Sequence, residues 1–172
     1  MDALECMLTR KSVKKYKSDA VPQELIDKVI EAGLHAPSGL NKQAAIILAV
    51  TNKEVRDALS AVNAGSDPFH RADPFYNAPV VLVVLADKSM HTHVYDGTLV
   101  MENLMLAAHA LGLGACWIHR AKETFERPEW KEFLKAQGIE GEYEGIGNCV
   151  LGYADMQPQK KERRENRVFY VK

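Results

Sequence analysis

Hydrophobic positions along this chain are spaced as in helices in some stretches and as in strands in others. The strongest helical stretch covers residues 97–119, GTLVMENLMLAAHALGLGACWIH. Its apolar residues leave almost no polar face, so a helix formed from them should be covered on nearly every side. The apolar run is shorter than the roughly 20 residues of a membrane span, and Glu102 and His109 are unfavourable in hydrocarbon. We therefore predict a core helix around which the other elements pack.

Two glycines close this helix. Gly112 stands where a helix ends in a left-handed residue, and Gly114 leaves the backbone without a side chain before Cys116. Two interpretations stay open: the glycines only end the helix and begin a strand, or they let a flat or bulky ligand approach the backbone.

Other helices follow from apolar residues spaced three and four apart. The best defined covers residues 23–36, with Pro22 before it and acidic residues early in it. Shorter helices are predicted for residues 2–8 and 53–61, and residues 124–137 are predicted to form one amphipathic surface helix.

Strand-like runs are interleaved with these helices. Residues 80–87, VVLVVLAD, form a continuous β-branched run that is typical of a strand buried on both faces, and residues 45–50 and 147–155 are similar. The short run 167–171 has no turn partner, so it could add to the sheet edge of another subunit. Together the elements predict one domain over residues 1–172, an α+β or α/β three-layer sandwich.

The formal charge is −1, from 22 Lys plus Arg against 23 Asp plus Glu, which gives no reason to expect nucleic acid or a membrane as a partner. Three cysteines, Cys6, Cys116 and Cys149, are far apart and set in apolar or small-residue contexts, as is typical of reduced thiols. The N-terminal residues lack the basic-then-apolar order of a secretory signal, so we expect a cytoplasmic protein.

Four patches are polar, glycine-rich or basic without a structural need: residues 10–14, 37–43, 112–119 and 160–164. If they converge, bases could hold a phosphate, amide groups could meet the edges of a ring, and bare backbone could face its plane. That combination describes a mononucleotide site. The chain has no Walker loop and no GxGxxG, which are typical of P-loop and dinucleotide sites.

Five motifs follow one another along the chain: RKSVKKY, EAGLHAPSGLNKQ, APVVLVV, DGTLVMENLMLAAHALGLGACWI, and VLGYAD followed by KKERR. On these motifs the sequence resembles the nitroreductase-like flavoenzymes, which bind FMN. The resemblance implies an α+β, three-layer α/β/α sandwich with a mostly antiparallel sheet. It also implies a homodimer through the central helices, a C-terminal strand added to the partner subunit, two FMN sites at the interface, and NADH or NADPH as electron donor.

By position, the resemblance assigns these residues to the FMN site: Arg10, Lys11, Ser12, Lys14, Pro37, Ser38, Gly39, Asn41, Ile118, His119, Lys161 and Arg163. Arg10 and Ser12 match phosphate and ribityl contacts, and Lys14 matches a base near the flavin pyrimidine. Lys161 and Arg163 match a basic pair near the phosphate. These types suit the chemistry, because cations neutralise a phosphate and stabilise negative charge near N1 and O2 of the flavin.

The remaining site residues match by their backbone or loop position. Residues 37–41 match the loop that meets the flavin ring and the ribityl chain. Residues 118–119 match the segment whose backbone approaches N5 and O4. The cofactor performs the redox chemistry, so the resemblance implies no catalytic side chain.

Two function classes remain. The first is an NAD(P)H-dependent FMN oxidoreductase that reduces nitroaromatics, quinones or a similar small acceptor by ping-pong hydride transfer at N5. Within this enzyme class, reductive dehalogenation or flavin fragmentation is a lesser alternative. The second is a non-enzymatic protein that binds or stores flavin. The enzyme is favoured because residues 63–77, which we expect to form a mobile surface loop with two Asp-Pro-Phe turns, would add aromatic groups beside an open flavin.

Histidines and cysteines permit other interpretations. His91 and His93 lack the accompanying Cys, His or carboxylate spacing of zinc sites, so we predict no metal. Cys116 has no recognised His and Asp arrangement, so a packed thiol is favoured over a nucleophile. His109 lies on the apolar helix and is interpreted as a hydrogen-bonded core histidine.

Overall fold

A four-stranded antiparallel sheet forms the centre of the molecule, with its strands in the order β1-β2-β4-β3. The structure is a computed structural model that describes residues 1–65, 67, 69–159 and 161–172. The strands are β1 (Ala45–Val50), β2 (Val80–Asp87), β3 (Gly114–Ile118) and β4 (Tyr143–Gly152). The antiparallel pairing of all neighbours confirms the predicted α+β class with a mostly antiparallel sheet.

Helices cover both faces of this sheet and make three layers. They are α1 (Ala3–Thr9), α2 (Gln23–Leu34), α3 (Lys53–Gly65), α4 (His93–Ala110), α5 (Ala121–Phe125) and α6 (Pro128–Ala136). On β2, Leu82 and Val84 pack into the hydrophobic cluster that contains α2 and α4. Val81 and Val83 pack into the opposite cluster, which contains α3, α5 and α6. All four side chains are fully buried, which confirms the prediction of a strand covered on both faces.

Helix α4 is the central helix that the sequence predicts, but it is less completely covered than expected. Met101, Leu104 and Ala108 are fully buried in the cluster shared with α2 and the sheet. Tyr95 and Leu99, however, are 72% and 44% exposed, so burying this part of the apolar surface requires another molecule. Neither α4 nor any other helix in the described residues is long and apolar enough to cross a membrane.

The two glycines after α4 have separate structural roles. Gly112 has a φ of 78°, and the N–H groups of Gly112 and Leu113 donate to carbonyls in the last turn of α4. This is the left-handed helix end that the sequence predicts. Gly114 does not leave the backbone open, because a Cβ atom there would lie 2.9 Å from Cγ2 of Val13. The interpretation that Gly114 admits a ligand is therefore wrong, since the chain itself packs against it.

Three element boundaries differ from the sequence-based predictions. Residues 124–137 form two helices rather than one, because Pro128 begins α6 and Arg127 before it is extended, with a ψ of 140°. Helix α3 continues to Gly65, into the segment expected to be a loop. Strand β4 begins earlier than predicted, at Tyr143.

The C-terminal residues form no strand within this chain. Residues 161–172 have neither helix nor strand, and the apolar run at their end is 67–100% exposed: Val168, Phe169, Tyr170 and Val171. Addition of this segment to a partner subunit's sheet stays a prediction.

The loop after α3 has more internal structure than its sequence indicates. The Asp73 carboxylate accepts hydrogen bonds from Arg56 and Ser60, both on α3, and from two backbone N–H groups of the loop itself. Burial raises the pKa of Asp73, but these hydrogen bonds, led by the one from Arg56, outweigh burial and lower the pKa overall. Residues 66 and 68 of the predicted loop lie outside the described residues.

Candidate functional site

An extended segment over residues 10–17 runs beside β3 and then beside the residues that follow β4, and it positions the first group of predicted site residues. Ser12 pairs in parallel with Ala115, and the N–H of Val13 donates to the Ala115 carbonyl at 3.0 Å. Val13 is buried on the core side. Because side chains alternate along an extended chain, Ser12 and Lys14 face the opposite side, where they are exposed.

The segment after β4 returns to this first segment. The N–H of Lys14 donates to Met156 Sδ at 3.3 Å. Lys11 Nζ donates to the Pro158 carbonyl at 3.0 Å. These contacts bring the C-terminal basic tract beside the N-terminal one, although Lys160, the first residue of that tract, lies outside the described residues.

A cleft of about 520 Å³, here called the basic cleft, lies between the two segments. It is lined by Leu8, Arg10, Lys11, Ser12, Lys14, Met156, Pro158, Gln159, Lys161, Glu162 and Arg163. Five of these side chains are basic and one is acidic, so the cleft is suited to an anionic ligand. Six of the predicted site residues, from opposite ends of the sequence, are therefore brought together.

Arg10 has a hydrogen-bond donor that the protein does not satisfy. Its Nε lies 3.8 Å from Glu102 Oε1, whereas its Nη1 is buried and has no partner among the described residues. An unpaired, buried guanidinium donor is unfavourable, and phosphate oxygens are acceptors that match the guanidinium geometry. The donors of the basic cleft therefore fit a phosphate group.

The second predicted group, residues 37–43, lies at a separate and smaller cleft. A 3₁₀ turn over Gly39–Asn41 is anchored to α4, because its first N–H donates to Asp96 Oδ1 at 3.0 Å. The cleft has a volume of about 130 Å³, and Pro37 and Ser38 line it together with Asp96. All residues of this group are described and none lines the basic cleft, so one chain does not join the two groups in one cleft.

The third predicted group, Ile118 and His119, leads into a turn held by buried amides. The His119 carbonyl accepts a hydrogen bond from Asn63 Nδ2 at 2.8 Å and a longer one from Asn148 Nδ2 at 3.5 Å. Arg120 follows with a φ of 74°, in the left-handed region. Sequence reasoning missed both asparagines, although a polar residue within an apolar strand is a usable signal for Asn148.

Comparison with known proteins identifies the family. A model of the nitroreductase family matches residues 7–153. The chain belongs to the nitroreductase family. A Methanothermobacter thermautotrophicus protein, provisionally named NADH dehydrogenase/NAD(P)H nitroreductase, is 36% identical over 121 residues, which cover 68% of this chain and 60% of that relative.

A solved structure and a second relative by sequence extend the comparison of this nitroreductase-family chain. The crystal structure of a nitroreductase with bound FMN from Bacteroides fragilis covers 100% of both chains, with a TM-score of 0.87 and 26% identity. A Bacillus subtilis FMN reductase (NAD(P)H) is 27% identical over 65% of this chain and 46% of its own length. The chain thus spans less than two thirds of the length of the Methanothermobacter thermautotrophicus and Bacillus subtilis relatives. The match to the Bacteroides fragilis structure confirms the predicted nitroreductase-type sandwich.

Beside the turn at Arg120, this nitroreductase-family chain has a buried carboxylate that sequence reasoning missed. Asp67 accepts two hydrogen bonds from the Arg71 guanidinium, at 2.7 and 2.9 Å, and lies 3.8 Å from Arg120 Nη1. The hydrogen-bonded Arg71 guanidinium holds the pKa of the Asp67 carboxyl well below its usual range. Arg71 also lies over the rings of Phe69 and Tyr76, at 5.2 and 5.5 Å, so it contacts two aromatic groups of the loop.

The cysteines of this chain are free and buried. Burial raises the pKa of Cys149 to about 12 and also raises the pKa of Cys116. A protonated thiol is a poor nucleophile, which supports the interpretation of Cys116 as a packed thiol.

His93 and His109 each make a hydrogen bond with their ring. His93 Nδ1 bonds to the Met90 carbonyl at 2.7 Å, and the described residues contain no group of three His, Cys, Asp or Glu side chains that could hold a metal ion. His109 Nε2 lies 2.8 Å from Thr9 Oγ1, so His109 is hydrogen-bonded as expected, but it is only half-buried.

Proposed function

We propose that this chain is an NAD(P)H-dependent FMN oxidoreductase that reduces nitroaromatics, quinones or a similar small electron acceptor. The names of its relatives support the class of reaction. The FMN bound in the Bacteroides fragilis structure supports the cofactor. The observation that carries the proposal is the basic cleft with the buried, unpartnered Nη1 of Arg10. We place the protein in the cytoplasm, where free cysteines stay reduced.

The basic cleft would hold the phosphate end of FMN. Arg10 is best placed to do so, because its side chain is only 22% exposed and a poorly solvated cation gains more from an anion than an exposed one does. Lys161 and Arg163 are exposed, so solvent and salt would screen their attraction. Ser12 would supply a hydroxyl group to the ribityl chain or the phosphate, and Lys14 a cation to the pyrimidine edge.

When bound, FMN would supply the hydride chemistry at N5, accepting a hydride from NADH or NADPH and then passing it to the acceptor in a ping-pong cycle. The residues of this chain bind and orient. Lys14 would place positive charge beside the pyrimidine end, where reduction places negative charge. The turn at His119 would present backbone to the ring, and no side chain is required to carry a proton because solvent can supply it.

We further propose a homodimer with two FMN sites at its interface. One chain leaves residues 37–43 outside the basic cleft, which supports a site that the loop of the partner chain would complete. The exposed Leu4 on α1 and the exposed Tyr95 and Leu99 on α4 provide apolar surface for the contact. The exposed residues 168–171 would add as a strand to the partner's sheet.

The cofactor is identified by denaturing the purified protein and separating the released chromophore. FMN is expected; recovery of FAD, or no uptake of added FMN, contradicts the proposal. Steady-state kinetics with NADH and NADPH against a panel of nitroaromatics and quinones should give parallel double-reciprocal lines, whereas intersecting lines contradict the ping-pong cycle. FMN binding without turnover of any acceptor favours the second class, a protein that binds or stores flavin.

A further inference from the structure

The peptide group after His119 has a support that comes from two distant elements. Asn63, near the end of α3, and Asn148, in β4, are only 3% and 1% exposed. Both direct their side-chain NH₂ groups at the His119 carbonyl, at 2.8 and 3.5 Å, and Asn148 Nδ2 also lies 3.4 Å from the Ile118 carbonyl. A short hydrogen bond from Asn63 therefore holds this carbonyl, and a longer contact from Asn148 supports it from a second element.

Within the described part of the chain, the side-chain amide of Asn148 has hydrogen-bond partners for its NH₂ group but not for its oxygen. Its Oδ1 is buried and has no hydrogen-bond partner among the described residues. The next residues of β4, Cys149 and Val150, are fully buried and apolar. An apolar side chain at position 148 would avoid the unpaired acceptor, so the stability of the strand does not account for an amide there. The NH₂ group is the part that has partners, and its partners are in the turn.

The hydrogen bonds to the His119 carbonyl set the direction of the next N–H. In a trans peptide the C=O and N–H bonds point in opposite directions, and the described residues contain no cis peptide. With the carbonyl held towards Asn63 and Asn148, the N–H of Arg120 points away from α3 and β4. That N–H donates to no acceptor in the described part of the chain, and His119 before it is exposed.

Arg120 itself is held in an unusual backbone conformation. Its φ of 74° is unfavourable for a residue with a side chain. Three contacts offset the strain. Its carbonyl accepts hydrogen bonds from the N–H and the hydroxyl group of Thr124, at 3.2 and 3.0 Å, and its Nη1 lies 3.8 Å from the buried carboxylate of Asp67. The turn is therefore fixed both through its carbonyl groups and through its side chain.

We propose that Asn63 and Asn148 are positioning residues that aim the Arg120 N–H at the N5 edge of the flavin. This inference rests on the proposed function and adds to it two residues that touch no ligand themselves. A donor that is already oriented needs no reorganisation when its acceptor arrives. Removing either amide should therefore weaken the interaction with N5 and leave the phosphate contacts in the basic cleft unchanged.

The test compares the binding of FMN with that of 5-deaza-FMN, in which a C–H group replaces N5 and cannot accept this hydrogen bond. The parent protein should bind FMN about three- to tenfold more tightly, as expected for one ordinary hydrogen bond. In Asn63→Leu and in Asn148→Leu the ratio of the two dissociation constants should fall towards one. Ser60→Ala is the matched control, because Ser60 is buried one turn earlier on α3 and donates to Asp73 instead of the turn.

Thermal unfolding establishes which variants fold. Either leucine variant is sufficient, because the two asparagines belong to different elements; if both unfold, Asn63→Asp keeps the size of the side chain and replaces its NH₂ group. An unchanged ratio in a folded variant, a parent ratio of one, or an equal fall in Ser60→Ala overturns the inference and leaves the FMN site in place. Failure of the parent to bind FMN at all overturns the proposed function instead.

Discussion

Replacing Arg10 by alanine should weaken FMN binding by about two decades. A charge-assisted hydrogen bond contributes roughly 1.5–3 kcal/mol, and every 1.4 kcal/mol is about one decade in the dissociation constant. Arg10 belongs in the upper part of that range, because Nη1 is buried and the Glu102 carboxylate, at 3.8 Å from Nε, is a weak competitor for the guanidinium. Arg163 is exposed, so Arg163→Ala should cost about one decade or less.

The assay titrates FMN and riboflavin into each apoprotein and compares the two dissociation constants. Riboflavin lacks only the phosphate, so the ratio isolates the phosphate contact from the contacts to the ring. Lys15→Ala is the matched control, because Lys15 is a base of the same segment that pairs with Asp155 at 2.6 Å and does not line the basic cleft. Its ratio should equal that of the parent.

An unchanged FMN-to-riboflavin ratio in Arg10→Ala would refute the placement of the phosphate in the basic cleft. Equal losses of FMN and riboflavin binding would do the same, because they indicate damage to the whole site. If Arg10→Ala behaves as expected but Lys161→Ala and Arg163→Ala leave the ratio unchanged, the C-terminal tract is solvated surface and Arg10 acts without it.

Three further predictions concern assembly and stability. Light scattering at micromolar concentration should show a dimer that removal of residues 167–172 weakens, and a monomer with full flavin occupancy would contradict it. Gly114→Ala should destabilise the fold by about 1–3 kcal/mol in urea unfolding, because its Cβ would press on Val13, and adding Val13→Ala should cost less than the sum of the two changes. The pKa of Asp73 is lower in the folded state, because hydrogen bonds led by the one from Arg56 outweigh burial. The Asp73 carboxylate therefore stabilises the fold above its unfolded pKa of about 3.9, and this stabilisation is lost as the pH falls through the folded pKa. Asp73→Asn should therefore lower the melting temperature at neutral pH and less so in acid; an equal effect at both would contradict the reasoning.

The sequence by itself determined most of the elements and the class of the fold. The run at residues 80–87 could be assigned because β-branched residues in an unbroken series suit a strand covered on both faces. Gly112 could be assigned because a left-handed helix end favours glycine. The break at Pro128 was also visible in the sequence, so the prediction of a single helix over residues 124–137 was wrong for a reason that the sequence itself contained.

Only the tertiary structure decided which side chains meet. Lys11 reaches the Pro158 carbonyl across almost the whole chain, and Asn63 reaches the His119 carbonyl across 56 residues. Residues 37–43 look equally polar in the sequence, yet one chain leaves them outside the basic cleft. The physical reason is that periodicity and turn preference depend on neighbouring residues along the chain. These contacts instead depend on the positions of the sheet edge and the helix ends, which are set when the two hydrophobic clusters pack.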